Sequence, residues 1–112
     1  MRRATGFLTT LMAFGSVAAS QLFAGEIYWT DRDGRTIRRG DMDGSGQAEI
    51  LLTAADGLSE PRGLGLDIAG GKMYFADAGN GTIRRGNLDG SEIDPLISGR
   101  PFLGDLELDV DV

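Results

Sequence analysis

The sequence predicts an all-β fold of short antiparallel strands, and three observations support this prediction. Glycine supplies 18 of the 112 residues, roughly twice its usual share, without the every-third-residue spacing of collagen. The segment 25–46 recurs as 71–92, so the chain contains a repeat with a period of 46 residues. Between these segments and after them, no long stretch has the apolar periodicity of a helix. So much glycine indicates many tight turns between strands.

The N-terminal segment is predicted to be a signal helix that precedes this fold. Two arginines follow the initial methionine, an uncharged and mostly apolar run extends over 4–19, and small residues come next. That order is typical of a secretory signal peptide. We therefore assign residues 1–19 to a signal peptide, cleaved after Ala19 or Ser20, and expect the protein to be secreted, periplasmic or at the cell surface. An uncleaved amphipathic anchor is the alternative, but the run is too short for a stable membrane span.

Composition excludes several classes of function. The chain has no cysteine and no histidine, and it carries a formal net charge of −6. A thiolate or imidazole zinc site, a cysteine nucleophile and a Ser-His-Asp triad are therefore excluded. The acidic balance argues against nucleic-acid binding, which needs basic groups to neutralise phosphates. Disulfides are excluded as well, so the stability of the exported body must come from packing or from association.

Beyond the signal segment, the region 25–112 divides into two repeat units, 25–70 and 71–110. Each unit contains short runs in which apolar and β-branched residues alternate with other residues, which predicts β-strands. A repeat length in the forties is typical of propeller blades and solenoids. The predicted strands are 26–30, 36–41, 48–53 and 63–67 in the first unit, and 72–76, 82–87, 93–98 and 105–110 in the second.

Glycine and proline mark the ends and edges of these strands. Asp-Gly-Ser recurs at 43–45 and 89–91, where glycine supplies a positive φ and aspartate caps the turn backbone. Pro95 lacks the amide that a central strand needs, so its strand is predicted to be an edge strand or an interrupted one. The recurring glycines are assigned to the repeated turns: Gly40, Gly44, Gly86 and Gly90.

Several motifs follow one another in repeat-length order. Residues 28–31 read YWTD, and they are followed by TIRR at 36–39, DGS at 43–45 and LSEPRGLGLD at 58–67. Together these motifs resemble the low-density lipoprotein receptor class B repeat, also called the YWTD repeat. Six such repeats form a six-bladed β-propeller in that family, so the resemblance implies a partial propeller of about two four-stranded antiparallel blades. The second unit departs from the motif with YFAD at 74–77, and an animal lipoprotein-receptor role is not implied.

The resemblance implies a structural role for the aromatic residues of the motif. Stacked sheets need large, flat apolar groups at the faces where they meet. The aromatics are therefore expected to pack between neighbouring blades, and stacking of Trp29 on a ligand is the alternative role. These residues are Tyr28, Trp29, Tyr74 and Phe75.

Charged residues recur beside these aromatics. Four aspartates follow apolar strands, where a carboxylate accepts turn amides or pairs with arginine. Adjacent arginines on a strand point to opposite faces, so one arginine of each pair is expected to contact an aspartate or an aromatic and the other to be solvated. An anionic ligand is the alternative partner of the arginines. These residues are Asp31, Asp67, Asp77 and Asp109, and Arg38, Arg39, Arg84 and Arg85.

No catalytic, cofactor-binding or metal-binding residues are predicted. The segment from Asp41 begins like an EF-hand calcium loop, but such a loop needs an acidic residue at its twelfth position, which is Leu52. A hairpin turn explains the segment with fewer assumptions. No motif pairs a catalytic acid with a base, so we expect a protein that is not an enzyme and binds no cofactor.

The function predicted from these observations is that of an exported, non-enzymatic repeat module for protein or ligand recognition. A fragment of a longer propeller receptor or enzyme, without activity of its own, is the alternative. Two blades leave sheet faces and edges open, which favours association. The expected partners are therefore another protein or further propeller blades, supplied by a homo-oligomer such as a trimer or by a repeat-containing protein. Nucleic acid is not expected as a partner.

Overall fold

The computed structural model describes residues 25–101 and 103–110, so the predicted signal helix lies outside the described residues. Within them the chain forms two antiparallel sheets, and the strand order in each follows the sequence. The all-β prediction is confirmed. The first sheet contains β1 (Glu26–Asp31), β2 (Thr36–Asp41) and β3 (Glu49–Leu52), and the second contains β4 (Pro61–Asp67), β5 (Lys72–Asp77), β6 (Thr82–Asn87) and β7 (Asp94–Ile97).

The prediction of about two blades is confirmed, with three strands in the first sheet and four in the second, because Pro61–Asp67 pairs with the strands of the second unit. The outer strands β3 and β7 are shorter than predicted, whereas β4 begins two residues earlier, at Pro61. Pro95 lies in β7, at the edge of the second sheet, as expected from its missing amide. Both sheets carry the same irregularity, a register shift after Ile37 in β2 and after Ile83 in β6.

The segment 105–110, predicted as a strand, is not one. The residue before it, Gly104, is joined to β4 by a hydrogen bond from the amide of Gly63 to the Gly104 carbonyl, at 3.0 Å. A ladder needs such bonds at regular intervals along both partners. The segment instead runs alongside β4 at close range: a side chain at Gly63 would lie 2.6 Å from the Gly104 carbonyl and the Leu106 amide, and one at Gly65 would lie 2.9 Å from the side chain of Leu108.

The two Asp-Gly-Ser turns form as predicted. Gly44 and Gly90 have positive φ angles of 79° and 89°, and the carboxylate of Asp43 accepts hydrogen bonds from the Ser45 hydroxyl (2.7 Å) and amide (2.9 Å). The corresponding bonds from Ser91 reach the carboxylate of Asp89. The hydroxyl and amide bonds lower the pKa of both carboxyl groups. Their contribution to stability is therefore present above the ordinary carboxyl pKa and is lost as the pH falls through the lowered value.

The assignment of Gly40 and Gly86 to turns is wrong, because these glycines lie inside β2 and β6. Each faces a large side chain on the neighbouring strand or turn. A side chain at Gly40 would lie 3.5 Å from the ring of Trp29, and one at Gly86 would collide with Ile93. Neither glycine supplies a positive φ; Gly86 leaves room for Ile93, whereas a side chain at Gly40 would make an ordinary van der Waals contact.

The two sheets are joined by a capped turn. A 3-10 helix at Ala54–Asp56 begins after Thr53, whose hydroxyl accepts a hydrogen bond from the Ala55 amide at 3.1 Å. The carboxylate of Asp56 accepts the Thr53 amide in return, at 2.9 Å, which completes a capping box. Gly57 ends the helix in the left-handed region with a φ of 95°. Among the described residues, no helix is long and apolar enough to cross a membrane.

The hydrophobic core lies between the two sheets. Ile37 and Leu52 come from the first sheet, Leu58 from the connection, and Met73 and Phe75 from the second sheet; all five are buried. Both sheets contribute the side chains of one face, as expected for sheets that pack face to face. Partly buried apolar residues surround this cluster: Leu51, Leu64, Leu66, Leu88 and Ile93.

Candidate functional site

The four motif aromatics occupy different environments. Phe75 is fully buried in the core, whereas Trp29, at the same position of the first repeat, is 36% exposed. Tyr28 and Tyr74 are half-buried, and each is paired in register with an arginine of the next strand, Arg39 or Arg85. Packing between the sheets is therefore observed for Phe75, while Trp29 lies on the face of the first sheet that points away from the second.

Arg39 connects the two sheets. Its guanidinium forms an ion pair with Glu49 at 2.8 Å and lies 3.7 Å from a carboxylate oxygen of Glu26. It also donates to the Tyr28 hydroxyl at 3.3 Å and to the carbonyl of Leu88, in the second sheet, at 3.1 Å. The single side chain therefore joins both neighbouring strands of its own sheet to the β6–β7 turn of the other sheet.

The surroundings of Arg39 keep it charged. Partial burial lowers the pKa of Arg39, but hydrogen bonds to Tyr28 and Glu49 and the charge of Glu26 outweigh burial and raise this pKa above its ordinary value. A charged donor strengthens a hydrogen bond to a carbonyl such as that of Leu88. The contact between the sheets is thus made by a permanent cation.

The other three motif arginines form no ion pair within the described part of the chain. Arg38 donates to the Thr36 hydroxyl at 3.1 Å. Arg84 points to the connection between the sheets and donates to the carbonyl of Asp56 at 3.4 Å. Arg85 lies opposite Tyr74 and Asp94 in the register of the second sheet. Among the described residues, an aspartate is therefore not their common ion-pair partner.

Three of the motif aspartates accept hydrogen bonds from turn amides. Asp77 is fully buried and accepts the amides of Ser59 (3.0 Å) and Glu60 (2.8 Å) and the side-chain amide of Asn80 (2.8 Å). Asp31 accepts the Gly34 amide at 2.9 Å.

The third of these aspartates, Asp67, and the remaining motif aspartate, Asp109, differ from each other. Asp67 accepts the Gly70 amide at 3.0 Å, closing the β4–β5 turn. Asp109 is exposed and lies in the segment that does not form a strand. Only Asp77 therefore reaches beyond its own turn, to the connection that carries the chain from one sheet to the next.

The motifs did not predict a charged turn at one end of the first sheet. The β1–β2 turn contains Arg32, Asp33 and Arg35, and together with Ser59 and Glu60 it lines an open groove of about 340 Å³. A comparison of the two repeats would have identified this turn, because its charged residues occur in only one of them. The second repeat has Ala78, Gly79 and Gly81 at the positions of the three charged residues.

Arg35 has a strained backbone in this turn. Its φ is 55°, in the left-handed region, where the second repeat has Gly81 with a φ of 65°. Non-glycine residues seldom adopt this conformation, and strain of this kind is concentrated at functional sites. Glu92 has a similar φ of 54°, so the β1–β2 turn is distinguished by the combination of a strained residue with three charged side chains beside a groove.

Replacing Arg35 with glycine is expected to stabilise the protein. We expect the free energy of unfolding to rise by about 0.5–1 kcal/mol, because relief of left-handed strain exceeds the added entropy of glycine in the unfolded chain. Denaturant unfolding measures the change. Arg32→Gly, in the same turn but without a positive φ, is the matched control and is expected to destabilise; equal effects of the two substitutions would contradict this account.

The fold and the geometry of the site define a class of protein. Two antiparallel sheets, each with the same turn, the same register shift and a core at their common face, are neighbouring blades of a propeller-type repeat protein. Residues 71–106 match the family model of the low-density lipoprotein receptor repeat class B. Residues 71–106 are therefore similar to a class B, or YWTD, repeat.

A solved structure supports the same conclusion. A chain in the crystal structure of a nidogen/laminin complex is similar to this protein with a TM-score of 0.59 and 32% sequence identity. The similarity covers 65% of this chain and 27% of that chain, so the protein spans about a quarter of the length of the solved chain. The two sheets thus resemble part of a YWTD propeller. No curated protein matches the chain.

Proposed function

We propose that the protein is an exported, non-enzymatic module that recognises a protein partner. The observation that carries this proposal is the similarity to a chain whose solved structure is a complex of two proteins, nidogen and laminin. Class B repeats typically form binding modules without catalytic activity. The signal-peptide pattern of residues 1–19 supports export to the periplasm, the cell surface or the medium.

The charged β1–β2 turn is the surface that we assign to this recognition. Arg32 and Asp33 form an ion pair at 3.3 Å with side chains that are 55% and 90% exposed, and Arg35 of the same turn lines the groove. Exposed guanidinium groups bind carboxylates of a partner in a fixed geometry, and nearby acids select against the wrong charge pattern. The proposed partner therefore presents acidic side chains with a basic group beside them.

Cross-linking in the producing cells tests the proposal. A photo-activated cross-linking residue at Asp33 is expected to capture a protein outside the cytoplasm, and the same residue at Asp43, in the turn at the other end of the first sheet, is the matched control. The Asp33 cross-link is expected to fall at least about tenfold when Arg32→Ala and Arg35→Gly are combined, because both guanidinium donors are removed. Equal capture at both positions, or a chain that keeps its N-terminal segment inside the cell, would contradict the proposal.

A further inference from the structure

We propose that copies of this protein associate head to tail, with the outer face of the first sheet of one copy covering the outer face of the second sheet of the next. The outer face of the first sheet is formed by Ile27, Trp29, Arg38 and Ile50, which are adjacent in the register. The outer face of the second sheet is formed by Tyr74, Ile83, Arg85 and Ile97. The inference rests on the packing inside one chain and is independent of the charged turn.

The outer face of the first sheet repeats a surface that is buried elsewhere in the molecule. Ile27 and Trp29 occupy the positions that Met73 and Phe75 occupy in the second repeat. Met73 and Phe75 are fully buried against the first sheet, whereas Ile27 is 46% and Trp29 36% exposed. Ile27 and Trp29 thus form an exposed aliphatic and aromatic pair that has the same arrangement as Met73 and Phe75, which pack against the neighbouring sheet.

The outer face of the second sheet repeats the other half of the same interface. Ile83 and Ile97 form a register pair that corresponds to the pair Ile37 and Leu52 of the first sheet. Ile37 and Leu52 are buried in the core, whereas Ile97 is 43% exposed and its neighbour Leu96 is 45% exposed. Leu106 and Leu108 of the same chain lie against Gly65 at one side of the second sheet's outer face. Beyond that side, the molecule presents both halves of its internal interface, one on each outer face.

A polar contact of the internal interface is also repeated. Arg39 donates across that interface to the carbonyl of Leu88. Arg85 occupies the position of Arg39, and Met42 occupies that of Leu88. In the proposed assembly, Arg85 of one copy donates to the Met42 carbonyl of the next copy. Met42 is 64% exposed in the single chain.

A second copy fits these faces because it brings the complementary surface. The two outer faces differ from each other, so their contact is heterologous, and each copy keeps one face available for a further copy. An unrelated partner would need to imitate a face that this chain already contains. Association through these faces would repeat the interface that already joins the two sheets of one chain. Each added copy would bring two more sheets that pack by the same contacts.

Variants that block one face at a time test the proposal on the purified chain. Trp29→Glu blocks the outer face of the first sheet, Ile97→Glu blocks that of the second, and Ile68→Glu, at a residue 65% exposed outside the strands, is the control. We expect the unaltered chain and the control to increase in mass with concentration in sedimentation experiments. Each blocked variant is expected to associate more than about tenfold more weakly, because a carboxylate is placed in an apolar contact.

Mixing the two blocked variants gives the decisive result. Each variant retains the face that the other has lost, so an equimolar mixture is expected to form a one-to-one dimer and nothing larger. This recovery also establishes that both variants are folded. A wild-type chain that remains monomeric at all concentrations would overturn the proposal and would indicate that the two faces bind another protein. A mixture of the blocked variants that does not combine would also overturn it and would indicate a symmetric dimer.

Discussion

Replacing Phe75 with alanine is expected to lower the free energy of unfolding by about 3–5 kcal/mol. The ring is fully buried between the two sheets with Ile37, Leu52 and Met73 around it. Its removal loses the transfer free energy of the ring and leaves a cavity that two sheets of fixed register do not close. Denaturant unfolding, followed by circular dichroism, measures the change.

Trp29→Ala is the matched control, because Trp29 occupies the same position of the first repeat. Its side chain is 36% exposed and faces away from the core, so the expected loss is about 1–2 kcal/mol at concentrations where the chain is monomeric. A loss as large as that of Phe75→Ala under these conditions would mean that the outer face of the first sheet is covered within a single chain.

Replacing Asp77 with asparagine is expected to cost about 2–4 kcal/mol, although the two side chains have nearly the same shape. The carboxylate accepts the amides of Ser59 and Glu60 with different oxygens, at 3.0 and 2.8 Å. Asparagine has one acceptor oxygen, so its amino group would face one of these donors. A buried amide would then be left without a hydrogen-bond acceptor, and the connection between the sheets would lose one of its hydrogen bonds to β5.

Asp31→Asn provides the comparison for Asp77→Asn within the same molecule. Asp31 is half-buried and accepts the Gly34 amide within its own turn, so the expected loss is about 1 kcal/mol or less. Thermal unfolding of both variants at neutral pH distinguishes the two sites. If the two substitutions cost the same, the contacts of Asp77 with Ser59 and Glu60 do not stabilise the protein beyond an ordinary turn.

Much of the fold follows from local rules that the sequence displays. The Asp-Gly-Ser turns form because the carboxylates of Asp43 and Asp89 accept a hydrogen bond from the amide of the serine two residues later. This geometry is local to the turn. Pro95 excludes its strand from the centre of a sheet for an equally local reason. The period of the repeat then predicts that the same strands and turns occur twice.

The features that were not predicted depend on contacts between distant residues. Gly86 lies inside a strand where a side chain would collide with Ile93, and periodicity does not distinguish such a glycine from a turn glycine. Whether 105–110 forms a strand is decided by the neighbours that pair with it, not by its alternating leucines. The charged turn at Arg35 lay outside the shared motif, since only the difference between the repeats reveals it.

The Arg39 network also determines how the protein responds to acidity. The chain contains neither histidine nor cysteine, the residue types whose ordinary pKa values are closest to neutrality. The resolved shifts move away from neutrality as well, because the pKa values of Asp43 and Asp89 are lowered and that of Arg39 is raised. The Arg39 side chain between the sheets therefore stays charged throughout the neutral range, in contrast to an interface whose contact depends on the protonation of a histidine.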